Sequence, residues 1–86
     1  MEFDFDPDKS ASNKAKNGID FVEAQAFWDD VDLLEIPART EDELRHLVIG
    51  RIGNTNWSGI ITYRERSMRL ISVRRARKTE VAICES

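Results

Sequence analysis

Leu44-Arg45-His46-Leu47-Val48-Ile49-Gly50-Arg51-Ile52 is followed by Gly53-Asn54-Thr55-Asn56 and then by Trp57-Ser58-Gly59-Ile60-Ile61-Thr62-Tyr63. The two outer runs are rich in β-branched and aromatic residues, and the four residues between them favour turns. The stretch therefore predicts a β-hairpin. Arg64-Glu65-Arg66-Ser67 turns again into Met68–Arg74, a further strand. Upstream, Asp32–Ile36 reads as a short strand stopped by Pro37, and a polar segment from Ala38 to Asp42 leads into the hairpin. Glu2-Phe3-Asp4-Phe5 alternates with period two, which predicts a short strand with both rings on one face. Asp6-Pro7 reads as an N-cap with proline at the first helical position, opening a polar helix that runs through Lys16 and ends at Gly18. Asp20 and Glu23 form a capping-box pair for a second helix, with Phe21, Ala24 and Phe27 or Trp28 facing the core. From Arg75 the tail reads as a helix with Val81 and Cys84 on one side. Helices followed by a run of antiparallel strands and a closing helix predict an α+β fold rather than a parallel doubly wound sheet.

At 86 residues the chain is expected to form one domain, residues 1–86, with a single modest core. No apolar run approaches the ~20 residues that span a bilayer. The opening Met1–Asp6 carries acid where a secretory leader carries base, so no export signal is expected. Cys84 is the only cysteine, which excludes an internal disulfide and a cysteine-rich zinc site and suits a reducing cytoplasm. The formal charge of −3 conceals an asymmetry. Residues 1–43 hold four basic and thirteen acidic side chains, and residues 44–86 hold nine basic and three acidic. A basic half can meet an anionic partner, or the two halves can attract each other within one fold.

The chain has no phosphate-cradling glycine loop, no paired histidines and no Cys/His cluster with metal spacing. No metal or other cofactor is expected. His46, the sole histidine, reads as a strand residue near the sheet rim. Asp4, Asp6 and Asp8 alternate, but Pro7 interrupts them and the glycine of a calcium loop is missing. Arginine is what remains: Arg64, Arg66, Arg69, Arg74, Arg75 and Arg77, with Lys78, crowd into fifteen residues. A guanidinium offers a fixed fork of donors that matches phosphate and stays charged. Strict alternation along Arg69–Arg75 places Ile71 and Val73 on the core face and Leu70, Ser72 and Arg74 on the other. Ser72 with Arg74 then suggests an oxyanion pocket, whereas Arg66 and Arg77 read as charges solvating a strand edge.

Several ordered fragments carry a resemblance. They are Phe3-x-Phe5-Asp6-Pro7-x-Lys9, Asn13, Lys16-x-Gly18, Phe21-x-x-Ala24 and Phe27-x-Asp29, then Glu43-x-Arg45, Ile49-Gly50-Arg51 and Tyr63-x-Glu65. Arg69-x-Ile71-Ser72-x-Arg74-x-Ala76 with Glu80 is the most distinctive. Together they resemble the BrnT family of bacterial toxins, from Phe3 to about Cys84. The resemblance implies a RelE-like ribonuclease toxin that cleaves RNA without metal in the cytoplasm. It implies a BrnA-like antitoxin, paired as two toxins with two antitoxins, through which DNA is contacted only indirectly. Carried over by position, it implies Arg45, Arg64, Glu65, Arg69 and Arg74 as catalytic, and Glu43 and Ser72, with neighbouring Arg75, as substrate contacts. The chain departs from the family in Asn17 for a histidine, Cys84 for a tyrosine and Phe5 for a tryptophan.

Metal-free cleavage uses the RNA's own 2′-OH, which attacks the adjacent phosphorus and leaves a 2′,3′-cyclic phosphate and a 5′-hydroxyl. The protein must accept a proton, stabilise the phosphorane and protonate the leaving oxygen. Arg74 with Arg69 or Arg45 would supply the charge, and Glu65 or Glu43 the base. The alternative is a module that binds RNA or an antitoxin and cuts nothing.

Overall fold

A computed structural model describes residues 2–39 and 44–85, with the side chains of residues 39, 84 and 85 left aside. The elements are β1 (Glu2–Asp4), α1 (Pro7–Asn17), a 3₁₀ helix (Glu23–Asp29), β2 (Leu34–Arg39), β3 (Leu44–Ile52), β4 (Thr55–Arg64), β5 (Ser67–Arg75) and α2 (Lys78–Glu85). They build an α+β fold on one five-stranded sheet of order β1-β5-β4-β3-β2. β1 lies parallel to β5, and every other pairing is antiparallel.

The hairpin forms as expected, with a tighter turn. Ile52 pairs with Thr55, leaving only Gly53 and Asn54 in the loop. Gly53 takes φ 63°, the left-handed value that lets a two-residue turn follow the twist of its strands. β2 runs through Pro37 to Arg39 instead of stopping at the proline. It is the sheet's edge, where only one side of the strand has a neighbour and proline is tolerated.

α1 obeys its local signals. Asp6 Oδ1 accepts the Asp8 N–H at 2.9 Å, Pro7 occupies the first turn, and Gly18 at φ 85° ends the helix. The capping box also forms: Glu23 N–H donates to Asp20 Oδ1 at 2.7 Å, and Asp20 N–H to Glu23 Oε1 at 3.1 Å. The helix it opens is 3₁₀ rather than α. Phe21, Ala24 and Phe27 recur every third residue and are all buried, and a three-residue turn aligns that spacing on one side. Phe5 follows β1 and packs edge-on against Phe21, with centroids 5.8 Å apart. Phe3 packs on Trp28.

The helices α1 and 3₁₀ cover one face of the sheet, where Val48, Ile61, Met68, Leu70 and Val73 join Ile19, Phe21, Ala24 and Phe27 in the core. Leu70 corrects the expected alternation. Ile60 pairs with Ser72 and Ile61 with Leu70, so Ile71 is an extra residue on β5, a β-bulge. Two burial demands, Leu70 and Val73, stand three residues apart, and the bulge satisfies both. It also turns Arg69 to the outer face beside Ser72 and Arg74.

Asn13 fastens α1 to β5. Its amide donates to Ile19 O at 2.7 Å and Val73 O at 2.8 Å, and its Oδ1 accepts Val73 N–H at 3.1 Å. Asn13→Ala strands those buried backbone groups and should cost about 3 kcal/mol. Asn13→Asp keeps one of the three bonds and should also be destabilising. Chemical denaturation of both variants measures the loss.

Candidate active site

The face turned away from α1 carries the arginines. Thr62 pairs with Arg69, and its hydroxyl donates to Leu44 O at 3.3 Å. Continuing the β3–β4 register places Arg45 beside Thr62, so Arg45, Thr62 and Arg69 form a row across three strands. Arg64 stands two residues beyond Thr62 on the same face, paired with Ser67 at the end of β4. Glu65 and Arg66 form the exposed tip of that hairpin. Among the described residues the side chains of Arg64, Arg66 and Arg77 have no polar partner. Arg69 Nη1 meets Asp4 Oδ2 at 2.8 Å, which joins the acidic front of the chain to its basic back.

A second row, Ile49, Ser58 and Arg74, lies further along the same face. Ser58 and Thr62 are four residues apart, ~13 Å at the usual strand rise. Leu47, Ile60 and Ser72 stand between the two rows. α2 is clasped over the second row through Glu80. Its carboxylate accepts Arg74 Nη1 and Nη2 at 2.7 and 2.8 Å, Arg77 N–H at 2.7 Å and Ser58 Oγ–H at 3.0 Å. The Arg74 hydrogen bonds are the main cause that holds the Glu80 carboxyl down at about 2, against burial.

The residues expected at the site are thus divided. Arg45, Arg64, Arg69, Ser72 and Arg74 share one face, with Glu65 at its tip. Arg74, however, is closed on Glu80. Arg75 does not join them: as the next residue along the strand it turns to the opposite face, its guanidinium 6.0 Å from the Trp57 ring centroid. Glu43 lies outside the described residues, as does the side chain of Cys84. Asn17 spends its amide on Asn13 Oδ1 at 3.3 Å.

A cluster absent from the expectations occupies the other face at the arginine end. Tyr63 O–H contacts Glu35 Oε1 and Oε2 at 2.7 and 2.8 Å. His46 Nε2 is 3.9 Å from Glu35 Oε2, and its ring stands edge-on to Tyr63 with centroids 5.0 Å apart. His46 Nδ1 is buried without a hydrogen-bond partner among the described residues. Burial, then the Glu35 bond, pushes the Tyr63 phenol up to about 12, so it remains a protonated donor at neutral pH. Only the strand register brings these three residues together, since Glu35 and Tyr63 are 28 residues apart. Among the described residues no three of His, Cys, Asp and Glu group as metal ligands. A cleft of about 320 Å³, lined by Asp29, Asp30 and Arg51 among others, lies at the opposite end of β3.

A small α+β domain with guanidinium groups gathered on one sheet face is the kind of protein that handles phosphate. Residues 5–80 match the family model described as the ribonuclease toxin BrnT of type II toxin–antitoxin systems. The chain belongs to the BrnT family. Comparison with curated proteins finds no match. Membership makes it a ribonuclease toxin of a type II system, with an antitoxin partner and an RNA target.

The Glu80 clasp predicts an acid-sensitive α2. A carboxyl lowered from 4.5 to about 2 contributes in full above pH 4.5 and loses that contribution as pH falls toward 2. Glu80→Gln should cost about 2 kcal/mol at neutral pH and flatten this decline. Urea unfolding midpoints across the acid range report both effects.

Proposed function

We propose that the chain is a metal-independent endoribonuclease whose scissile phosphate sits on the Arg45–Arg69 end of the arginine face. The supporting observation is the bulge at Ile71, which turns Arg69 to the same face as Ser72 and Arg45. Arg45, Arg64 and Arg69 stabilise the phosphorane as the 2′-OH attacks. Each guanidinium presents donors where negative charge grows, and that is the largest lever in a reaction without a metal. Ser72 offers a hydroxyl to a non-bridging oxygen. Glu65, next to Arg64, accepts the 2′-OH proton, water protonates the leaving 5′-oxygen, and Glu43 is assigned a substrate contact. Arg74 contributes through α2, which it anchors, and reaches phosphate only when Glu80 releases it.

The partner in this reading is a BrnA-like antitoxin in a complex of two toxins and two antitoxins, and the compartment is the cytoplasm. No helix among the described residues is long and apolar enough to cross a membrane. The fold is read as RelE-like: a short first strand and two helices on a mainly antiparallel sheet, closed by a terminal helix.

Antitoxin-free protein incubated with RNA and a chelator should produce 2′,3′-cyclic phosphate and 5′-hydroxyl ends. DNA, or RNA 2′-deoxy at the cut site, should survive. Arg69→Ala should slow cleavage ~10²–10³-fold. Loss of activity in chelator overturns the metal-free mechanism. Wild-type protein that binds RNA without cutting it supports the non-catalytic alternative.

A further inference from the structure

We propose that Tyr63 is a stacking platform for one unpaired base of the RNA substrate, with the Glu35 carboxylate reading that base's N–H donors. The inference rests on the ribonuclease reading and names a recognition subsite for it. Tyr63 is 40% exposed, and Leu44, on the same face at this end of the sheet, is 53% exposed. An apolar flat surface is therefore left open to solvent at the rim. The ring is also fixed in place. Its hydroxyl is tied to both oxygens of one carboxylate and its edge is braced against His46. A pre-oriented aromatic loses little freedom when a base settles on it.

The neighbours suit RNA. Arg64 follows Tyr63 at the end of β4 and turns to the arginine face, and Arg66 sits in the hairpin tip between the two faces. A base on Tyr63 thus leaves its own phosphate at the rim beside the hairpin tip, with Arg66 in that tip and Arg64 across the rim, two cations without polar partners among the described residues. The strand then crosses the rim toward Arg45 and Arg69. Aromatic stacking beside backbone-binding cations is the general way proteins hold single-stranded RNA.

Glu35 supplies the selectivity. Its side chain is 34% exposed, and a carboxylate accepting from one hydroxyl retains free lone pairs. The Tyr63 hydroxyl sits between the two oxygens, so an outward lone pair remains to accept an N–H, and guanine offers N1–H and N2–H side by side. Uracil offers a single N–H flanked by carbonyl oxygens, which the carboxylate repels. Guanine is therefore the favoured occupant.

The test uses the full chain and short 2′-O-methyl RNA oligomers, which cannot be cut, differing at one base. Binding is followed by fluorescence anisotropy, with thermal unfolding as a check on each variant. Tyr63→Ala and Tyr63→Leu should weaken binding of the guanine oligomer ~5–100-fold, whereas Tyr63→Phe retains most of it. Glu35→Gln should erase the preference for guanine over uracil. Folded Tyr63→Leu that binds every oligomer like wild type, while Arg69→Ala binds weakly, overturns the subsite and leaves the ribonuclease reading intact. Wild-type protein that binds no RNA overturns both. Tyr63 variants that lose antitoxin binding alone assign this rim to the protein partner and also overturn the subsite.

Discussion

The placement of the arginine face depends on one buried amide. β1 pairs with β5 only from Ser67 to Arg69, so the edge of β5 beyond it needs another partner. Asn13 supplies one by bonding both the N–H and the C=O of Val73, as a neighbouring strand would. The same side chain closes the loop after α1 through Ile19 O. α1, the loop and β5 are therefore locked in one register, with Val73 facing inward. Ser72 and Arg74 must then face outward. A helix packed by apolar contact alone would tolerate sliding, but three directional bonds in a dry setting do not.

With Val73 fixed, the bulge follows from burial. Leu70 and Val73 are both removed from water, and a regular strand cannot turn residues three apart to the same side. Ile71 absorbs the difference. The stretch Arg69-x-Ile71-Ser72-x-Arg74 therefore encodes more than cations: its spacing contains a turn of face. Glu80 belongs to the same device, because it holds α2 over one end of this face and leaves the other end open.

Much of the fold was legible because its signals are local. The caps at Asp6 and Gly18, the Asp20–Glu23 box and the turn at Gly53-Asn54 each depend on residues a few positions apart. The failures depend on neighbours distant in sequence. Pro37 reads as a stop because its place at the sheet edge depends on strand order. Alternation alone puts Leu70 on the wrong face because the bulge answers to a core contributed by several elements. Arg75 joins Arg74 only by proximity in sequence, whereas adjacent strand residues point apart. Glu35, His46 and Tyr63 carry no one-dimensional signal, since hairpin register alone makes them a cluster.

Arginine-rich faces invite the assumption that every cation meets substrate, and the two ion pairs argue otherwise. Arg69 and Asp4 are both partly open, at 30% and 44% side-chain exposure. Their attraction is screened, and a phosphate can replace the carboxylate at small cost. Glu80 is only 11% exposed and accepts from Ser58 and Arg77 as well as Arg74. Withdrawing Arg74 from it would leave a buried carboxylate short of its charge partner, a far larger penalty. Two arginine–carboxylate pairs on one face thus do different work. The exposed pair keeps a guanidinium oriented until an anion takes it, and the covered pair holds the helix that bounds the space the anion enters.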